Sequence, residues 1–178
     1  EVWFGNIAPG FFAWSVPESE TITRVGLAGT KNINKNFNQL LNTFKNKKII
    51  EKQGGIIPKF NANIKVQKKN IFIVGDAAGK VKATTGGGIV PGLQAAECLA
   101  EAIIQKKSYK ALLAKKVTKN LKKHLLIRQT LDKMDENDYD ELIQTADKKE
   151  IKALLSKENR DRNPTKIMVK MLLKQPKM

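Results

Sequence analysis

A short apolar run that leads through an acidic turn into a glycine triple constrains the fold of this chain more than any other stretch. Ile71–Val74 is a run of four apolar residues, followed by Gly75-Asp-Ala-Ala-Gly79 and then by Thr84-Thr-Gly-Gly-Gly88. Such a run predicts a buried parallel strand, and the pattern from Ile89 predicts a helix that packs closely on a sheet. We therefore expect a parallel α/β unit in this part of the chain.

The end of that strand predicts a ligand site. Side chains at the carboxyl ends of parallel strands face the crevice where α/β proteins bind ligands, and Asp76 takes this position. A carboxylate there can accept hydrogen bonds from sugar hydroxyls, cap backbone amides or hold a metal. Small residues let a ligand approach the backbone, and a helix N-terminus after the glycines stabilises negative charge. The small residues are Ala77, Ala78, Gly79, Gly86, Gly87 and Gly88. The glycine-rich segment that contains these residues matches neither the nucleotide P-loop motif nor the dinucleotide-binding G-x-G-x-x-G motif.

The rest of the chain divides into a sheet region and a helical region. Residues 1–60 contain three strand-like segments, at Val2–Phe4, Phe12–Val16 and Thr21–Leu27, which predict an antiparallel sheet. An amphipathic helix over Asn34–Lys47, with Asn34 as its cap, follows them. Residues 61–106 hold the α/β unit, and residues 107–178 are helical. The expected helices of that last region are Tyr109–Met134, Asp138–Ala146, Lys148–Leu155 and Pro164–Leu173.

The net charge of the chain indicates which classes of partner it can attract. The 178 residues include 33 basic and 17 acidic residues, a net charge of +16, and 20 of the basic residues fall in 106–178. Such a surface attracts phosphate, whether on nucleic acid, anionic lipid or a substrate. Because that region has two aromatic residues and no recognisable reading module, we expect no nucleic-acid partner and favour anionic lipid. A lysine-rich solvated surface without a specific partner is the alternative.

The single cysteine and the single histidine exclude a zinc site built from Cys and His ligands. Cys98 falls in a helical pattern and predicts a small buried residue, which fits reducing intracellular conditions. Lys115–His124 is a basic amphipathic segment, typical of a membrane surface, an anionic partner or an ordinary solvated face, with His124 on its polar rim. No apolar run is long enough to cross a bilayer. We expect a cytoplasmic protein whose contact with membranes, where it occurs, is peripheral.

Taken together, the motifs resemble one known family. Gly75-Asp-Ala-Ala-Gly79, Val81-Lys82 and Thr84-Thr-Gly-Gly-Gly-Ile89 are similar to the second FAD-binding motif of the geranylgeranyl reductase family, within the p-hydroxybenzoate hydroxylase-like flavoproteins. The resemblance extends to Gly54-Gly-Ile-Ile-Pro58, and Pro9-Gly-Phe-Phe-Ala-Trp-Ser-Val-Pro17 is similar to a signature of the family's substrate domain. It covers most of the chain. The chain departs from the family pattern at Phe12, Val16, Lys80 and Ala83.

The resemblance implies an FAD-dependent reductase that hydrogenates C=C bonds of geranylgeranyl or other polyprenyl chains in archaeal membrane lipid biosynthesis. Asp76 would bind the ribityl chain of FAD, and Gly88 and Ile89 would contact the flavin ring through their backbone. Phe12 and Trp14 would line an apolar tunnel for the lipid, with core packing of Trp14 as the alternative. The other positions of the implied FAD site are Gly75, Ala77, Ala78, Gly79, Gly86 and Gly87. Hydride would pass to one alkene carbon and a proton to the other. The implied electron donor is NAD(P)H or a ferredoxin-like protein.

In family terms, residues 1–60 are part of the substrate-binding domain, and residues 61–106 are the last parallel strand and helix of the Rossmann-like FAD domain. The strand, G-x-G-x-x-G motif and acidic residue that bind the adenosine end of FAD are absent from these residues. Because the chain also starts in a strand-like segment at Glu1, we expect the C-terminal portion of a longer flavoprotein, inactive as an isolated fragment. Two alternatives stay open: a related FAD-dependent monooxygenase, and a non-enzymatic basic helical module that binds anionic lipid or nucleic acid.

Overall fold

The structure is a computed structural model that describes residues 1–157, and it combines helices with two small antiparallel sheets. The mixed helix-and-strand class expected from the sequence is confirmed. The residues form two compact units, one from Glu1–Gly55 and Thr130–Asp147, the other from Ile56–Gln129 and the described residues after Asp147. The expected boundary after residue 60 lies close to the junction at Gly55, and the one after residue 106 lies inside the second unit. The helix expected at residues 164–173 lies outside the described residues.

The first unit contains the antiparallel sheet expected from the N-terminal sequence. Its strands are β1 (Val2–Trp3), β2 (Phe12–Pro17) and β3 (Thr23–Ala28), in that order across the sheet. In the register, Trp14 of β2 pairs with Gly26 of β3. Because side chains alternate along a strand, Ala13 and Ser15 face one side of the sheet, where both are buried, and Phe12 and Trp14 face the other.

Helix α1 (Ile33–Asn42) covers the buried side of this sheet. Leu40, only 2% exposed, packs in a cluster with Ala8 and Ala13. The amphipathic helix is therefore confirmed, but it begins one residue earlier and ends five residues earlier than expected. Its cap was wrongly assigned to Asn34, because Asn32, in the left-handed conformation at φ 52°, precedes the first helical residue.

Helix α5 (Glu136–Asp147) also belongs to the first unit. Its start is fixed by two reciprocal hydrogen bonds of 3.0 Å, in which the amide of Asp135 donates to the Asp138 carboxylate and the amide of Asp138 donates to the Asp135 carboxylate. The Tyr139 hydroxyl donates to the carbonyl oxygen of Leu131 at 2.9 Å. The helix expected at 138–146 is confirmed, with this cap at its beginning.

The structure differs from the sequence prediction at Ile71–Val74, where a buried parallel strand was expected. Strand β5 is only Ile71–Phe72, and it pairs antiparallel with β4 (Gln67–Lys68) through a tight turn at Lys69, whose φ is 53°. The expected buried parallel strand was therefore wrong for the described residues. The reason is that those residues cover only one side of the run: Phe72 packs edge-on to Tyr109, with ring centroids 5.9 Å apart, while Ile71 is 66% exposed.

Helix α2 (Ile89–Ile104) carries the core of the second unit. The side that it buries consists of Pro91, Ala95, Cys98 and Ala102. Cys98, 1% exposed, is the small buried residue that the sequence predicted, and burial raises the pKa of its thiol. The rest of the core cluster comprises Phe60, Val66, Ala78, Tyr109, Leu113, Val117 and Leu121.

The helix expected at 109–134 is present as three consecutive helical segments. They are α3 (Tyr109–Leu113), a π-helical turn (Ala114–Thr118) and α4 (Lys119–Leu131), and α6 (Lys149–Lys157) comes after α5. The hydroxyl of Ser108 caps α3 by accepting from the amide of Ala111 at 3.3 Å. Val117 and Leu121 are buried in the core, so the apolar side of the basic segment is already covered within the protein. Within residues 1–157, no helix has the length and apolar character to cross a bilayer.

Candidate functional site

The second unit has an open cavity at the point where the acidic turn meets the start of α2. Its volume is about 430 Å³, and its lining is mostly apolar backbone and side chain. The lining residues are Val74, Gly75, Asp76, Gly88, Ile89, Gly92 and Leu93. The structure therefore brings together, around one cavity, four residues of the FAD site that the family resemblance implies: Gly75, Asp76, Gly88 and Ile89. Whether FAD binds there stays a prediction.

The turn that presents Asp76 is a single 3-10 turn, Gly75–Ala78. Two glycines in the left-handed region enclose it, Gly75 at φ 59° and Gly79 at φ 61°, a conformation that L-residues with side chains rarely adopt. The amide of Gly79 donates to the carbonyl oxygen of Asp76 at 2.8 Å, and the amide of Lys80 donates to that of Gly75 at 3.1 Å. These bonds close the turn and leave the Asp76 side chain on its outer, exposed side.

The Asp76 carboxylate lies directly beside the N-terminus of α2. A Cβ added to Gly88, the residue before the helix, would be 2.6 Å from Asp76 Oδ1, so a side chain there would force the Asp76 carboxylate to move. A Cβ at Gly92 would be 3.4 Å from the Cα of Gly75, which shows how closely the helix approaches the turn. Among residues 1–157, no side chain caps α2 and none bonds to the Asp76 carboxylate. The cavity thus combines free amide donors with an acceptor carboxylate.

This arrangement fits a flavin better than a nucleotide phosphate alone. A carboxylate at the wall of a phosphate site would repel the ligand, whereas it accepts hydrogen bonds from sugar or ribityl hydroxyls. The helix end favours the electron-rich edge of a flat ring, and the glycines leave room for a ring to lie on the backbone. The residues present therefore fit the group that the family resemblance implies.

Other glycines and alanines of the motif serve the fold in this structure. Ala78 is 0% exposed, and a Cβ at Gly79 would be 2.7 Å from Ile64 Cδ1, so both face the core rather than the cavity. Gly86 and Gly87 shape the turn before α2: the amide of Gly86 donates to the carbonyl oxygen of Lys82 at 2.9 Å, and Gly86 has φ 70°. Ala77, in contrast, is exposed to solvent.

His124 lies in a place that the sequence did not indicate. It was expected on the polar rim of its helix, but it is 4% exposed, and its Nδ1 is 2.8 Å from the hydroxyl oxygen of Thr84. Thr84 belongs to the turn that leads into the glycines, so this hydrogen bond fixes that turn to α4. A histidine between lysines and leucines gives no sequence signal for such a contact, because its partner is 40 residues away.

Lys80 was noted in the sequence as a departure from the family pattern, and the structure buries it. The residue is 1% exposed, and its Nζ lies 5.7 Å from the centroid of the Phe60 ring. Burial lowers the pKa of the ammonium group, because the charged form loses its hydration. The ring supplies a partial compensation through cation–π attraction.

We expect Lys80→Met to raise the melting temperature by a few degrees near neutral pH, because an apolar chain of similar volume removes the desolvation cost. The pKa of Lys80 is lower in the folded protein than in the unfolded chain. At pH values between these two pKa values the unfolded chain binds more protons than the folded protein, so the stability of the wild type rises with pH. The advantage of the variant should therefore shrink from about pH 7 to about pH 10. Thermal unfolding at both pH values checks this. Lys68→Met, at an exposed lysine, is the control and should show no such pH-dependent difference.

An aromatic group occupies the face of the first unit's sheet that α1 leaves uncovered. Phe12 and Trp14 have ring centroids 5.7 Å apart, and Phe12 also contacts Phe4 at 6.1 Å. Phe11 also stacks on Phe12 at 4.6 Å, since it precedes β2 and strand alternation does not apply to it. We call Phe4, Phe11, Phe12 and Trp14 the aromatic face.

The indole of Trp14 lies over the backbone of Gly26, its partner across the sheet. A Cβ at Gly26 would overlap the indole ring, so the residue is glycine because Trp14 occupies the space. Gly26→Ala should displace Trp14 and cost about 1–3 kcal/mol, as overpacking does. Tryptophan emission, read with Trp3 replaced by Phe, should shift to longer wavelength. Gly54→Ala, where no described atom lies within 4 Å, should leave emission and stability unchanged, and an unshifted Gly26→Ala spectrum would contradict the contact.

Known proteins match almost the whole chain, although no protein-family model does. Digeranylgeranylglycerophospholipid reductase 3 of Methanosphaera stadtmanae is 29% identical over 98% of this chain and 46% of its own length. The digeranylgeranylglycerophospholipid reductase of Methanocaldococcus jannaschii is 32% identical over 81% of this chain and 42% of its own length. The chain thus spans about half the length of the curated relatives that it matches.

A solved structure shares the fold. The crystal structure of a geranylgeranyl bacteriochlorophyll reductase-like protein from Thermoplasma acidophilum superposes with a TM-score of 0.69 at 20% identity, over 99% of this chain and 48% of that protein. The fold is therefore that of one part of a geranylgeranyl reductase-like protein. The chain is similar to the digeranylgeranylglycerophospholipid reductases over almost its whole length, which confirms the family resemblance seen in its sequence.

Proposed function

We propose that this chain provides the flavin-ring portion and part of the lipid-contacting surface of an FAD-dependent reductase of polyprenyl lipids. The observation that carries the proposal is the cavity where the Asp76 carboxylate, backbone glycines and the amide end of α2 meet. The names of the homologous reductases support the reaction class. The whole activity requires a nucleotide-binding half as well, and we use "assembled protein" for this chain together with that half.

In the assembled protein, three residues of the cavity have a defined role. Asp76 would accept hydrogen bonds from ribityl hydroxyls of FAD. Gly88 and Ile89 would contact the flavin ring through their backbone, and the N-terminus of α2 would stabilise negative charge on it. When bound, FAD supplies the hydride for one alkene carbon, and a proton goes to the other carbon. NAD(P)H or a ferredoxin-like protein supplies the electrons.

The aromatic face offers contact area for a polyprenyl chain. Its rings lie on the side of the sheet away from the core cluster of Ala13 and Leu40, and Trp14 is half-buried rather than enclosed. A long polyene has few polar groups, so its binding depends mainly on apolar contact, which aromatic rings supply. We propose that Phe12 and Trp14 contact the lipid and that peripheral contact with an archaeal membrane delivers it.

The test of this function is an anaerobic reduction assay. The assembled protein, with its FAD reduced by dithionite, is incubated with a digeranylgeranylglycerophospholipid, and the product is analysed by mass spectrometry. A mass gain of one H₂ for each reduced double bond supports the proposal. Oxygen-dependent addition of an oxygen atom to an aromatic substrate would instead identify a monooxygenase. A folded assembled protein that binds no flavin would contradict both and favour the non-enzymatic basic module.

A further inference from the structure

The stretch between Glu101 and Asp132 has nine basic residues and no acidic residue, and it includes α3, the π-helical turn and α4. Some of these charges are paired within the protein. Lys107 and Lys116 both pair with the carboxylate of Glu101, the acidic residue that precedes the stretch. Four other lysines of the stretch have no ion pair among residues 1–157: Lys115, Lys119, Lys122 and Lys123.

These four lysines share the side of the helical segments that faces solvent. Lys115, Lys119 and Lys122 are exposed, and Lys123 is half-buried. The opposite side carries the buried residues of the same segments, at spacings of three and four: Val117, Leu121, His124 and Arg128. Leu126, seven residues after Lys119, lies on the lysine side and is 61% exposed. We call the four lysines together with Leu126 the basic face.

The charge of the basic face is all of one sign, which is unfavourable without an anionic partner. Lysines three and four residues apart repel each other on a helix, as Lys119 does with Lys122 and with Lys123. Solvated helix faces usually carry both signs of charge instead. The next described residues, 132–157, do so, with eight acidic and five basic residues. The excess of lysine is therefore local to this stretch, and it indicates an anionic partner.

A phospholipid surface fits the basic face better than a nucleic acid does. Residues 102–131 contain one aromatic residue, Tyr109, which is 1% exposed, so the stretch offers no exposed ring that could stack on bases. It offers an exposed leucine among the lysines instead. Helices that lie on membranes combine these two features, because lysines contact the lipid phosphates and apolar side chains reach the acyl chains.

We propose that the basic face docks the protein on a membrane surface of anionic phospholipids, with its lysines on the lipid phosphates and Leu126 inserted between the headgroups. The inference rests on the proposed function, in which the lipid substrate comes from a membrane, and it assigns that contact to a defined surface. The attraction decays over the Debye length, about 10 Å at an ionic strength of about 0.1 M. The docking is therefore reversible and sensitive to salt.

Sedimentation of the assembled protein with phospholipid vesicles tests the docking. One kind of vesicle contains phosphatidylcholine alone, and the other an equal mixture of phosphatidylcholine and anionic phosphatidylglycerol. Wild type should bind the mixed vesicles and not the neutral ones, and it should dissociate at about 1 M salt, where the Debye length is about 3 Å. The triple variant Lys115→Gln, Lys119→Gln, Lys122→Gln should bind about 100-fold more weakly, because each lysine near an anionic surface contributes a factor of about five.

A matched control removes three charges from another surface of the same unit. Its substitutions are Lys65→Gln, Lys68→Gln and Lys69→Gln, at three exposed lysines in and beside the hairpin of β4 and β5. Phe72 of that hairpin contacts Tyr109 in the core that also contains Val117 and Leu121, so the hairpin packs on the buried side of the helical segments. The control should therefore bind the mixed vesicles nearly as wild type does.

Two single substitutions test the two parts of the basic face. Lys119→Glu reverses one charge and should weaken binding about 25-fold, the factor for two unit charges. Leu126→Gln removes the apolar contact and should weaken binding by about 5- to 10-fold. Thermal unfolding of every variant should match that of wild type, because the substituted side chains are exposed. A loss of binding is then not a loss of folding.

Four results would overturn the proposal. If wild type binds neither kind of vesicle, the basic face is an ordinary solvated surface. Equal weakening by the two triple variants assigns the binding to net charge rather than to this face. Wild-type affinity of Leu126→Gln contradicts insertion into a membrane. Binding to RNA or DNA that the basic-face triple variant loses, without binding to vesicles, identifies a nucleic acid as the partner.

The docking and the proposed function can fail separately. The basic-face triple variant should reduce detergent-dispersed lipid as fast as wild type does and vesicle-embedded lipid more slowly, because docking affects only the delivery of the lipid. If the basic face binds vesicles but the assembled protein reduces neither form of the lipid, the docking stands and the reductase function fails. If wild type and the triple variant bind vesicles equally and reduce vesicle-embedded lipid equally, the function stands and the docking fails.

Discussion

Asp76→Ala is expected to weaken FAD binding to the assembled protein by about 10- to 100-fold, which corresponds to the loss of one or two hydrogen bonds to a charged acceptor. The physical reason is that the carboxylate borders the cavity, next to Gly88, and bonds to no described side chain, so ligand hydroxyls can donate to it without displacing a protein partner. Titration of the apoprotein with FAD, followed by quenching of flavin fluorescence, measures the change.

Two controls make that result specific. Asp76→Asn keeps the shape and one acceptor oxygen but removes the charge, so its affinity should fall between those of wild type and Asp76→Ala. Glu97→Gln removes a carboxylate from the same unit outside the cavity and should leave FAD affinity unchanged. The thermal stability of the apoprotein should change little in these variants, by at most about 1 kcal/mol, since the Asp76 carboxylate makes no described side-chain hydrogen bond or ion pair and interacts only with the N-terminus of α2. Equal FAD affinity of wild type and Asp76→Ala would contradict the role of this residue.

The cavity was predictable because its signals are local. The sequence contains the glycines that allow the positive φ angles at positions 75 and 79, and a third glycine directly before α2. All three lie within one short segment, and a turn between an extended segment and a helix brings them together. The sequence could not tell which of the small residues face the cavity. That depends on what packs behind the turn, and Ile64, which excludes a side chain at Gly79, has no signature of its own.

The strand prediction failed for a different reason. Four apolar residues in a row indicate burial on both faces, but they do not say which segment provides the cover. Among residues 1–157, the partner of Ile71–Phe72 is the hairpin strand at Gln67–Lys68, and the second face of the run has no cover. The exposed side of α2 follows the same logic. In both places the sequence indicated burial, and among the described residues only one side is covered.

Buried polar residues were the least predictable. His124 follows two lysines and reads as part of a polar rim, yet its hydrogen bond to Thr84 draws it into the interior. The only sequence signal at Lys80 is its departure from the family motif, which does not indicate burial. The side chain is buried against the ring of Phe60, 20 residues earlier in the chain. Such contacts join distant segments, and periodicity within one helix or turn carries no information about them.

Gly79→Val should cause the largest loss of stability, about 3 kcal/mol, which corresponds to a fall in melting temperature of about 10 °C. Two costs add. A β-branched residue at φ 61° is strained by roughly 1–2 kcal/mol, and its Cβ would be 2.7 Å from Ile64 Cδ1, which adds an overpacking cost of about 1–3 kcal/mol. Thermal and urea unfolding of the apoprotein measure the sum.

Gly75→Val separates the two costs, because Gly75 has nearly the same φ, 59°, but no described atom lies within 4 Å of an added Cβ. Gly75→Val should lower the free energy of unfolding by the strain cost alone. The difference in stability between the two variants therefore measures the cost of the contact with Ile64. Ile64→Ala in the Gly79→Val background should recover part of that difference. The pair also distinguishes the two roles proposed for Gly79. If Gly79 faces the core, Gly79→Val destabilises the apoprotein more than Gly75→Val does; if it faces the cofactor, as the motif alone suggested, the two variants destabilise the apoprotein equally and Gly79→Val also weakens FAD binding.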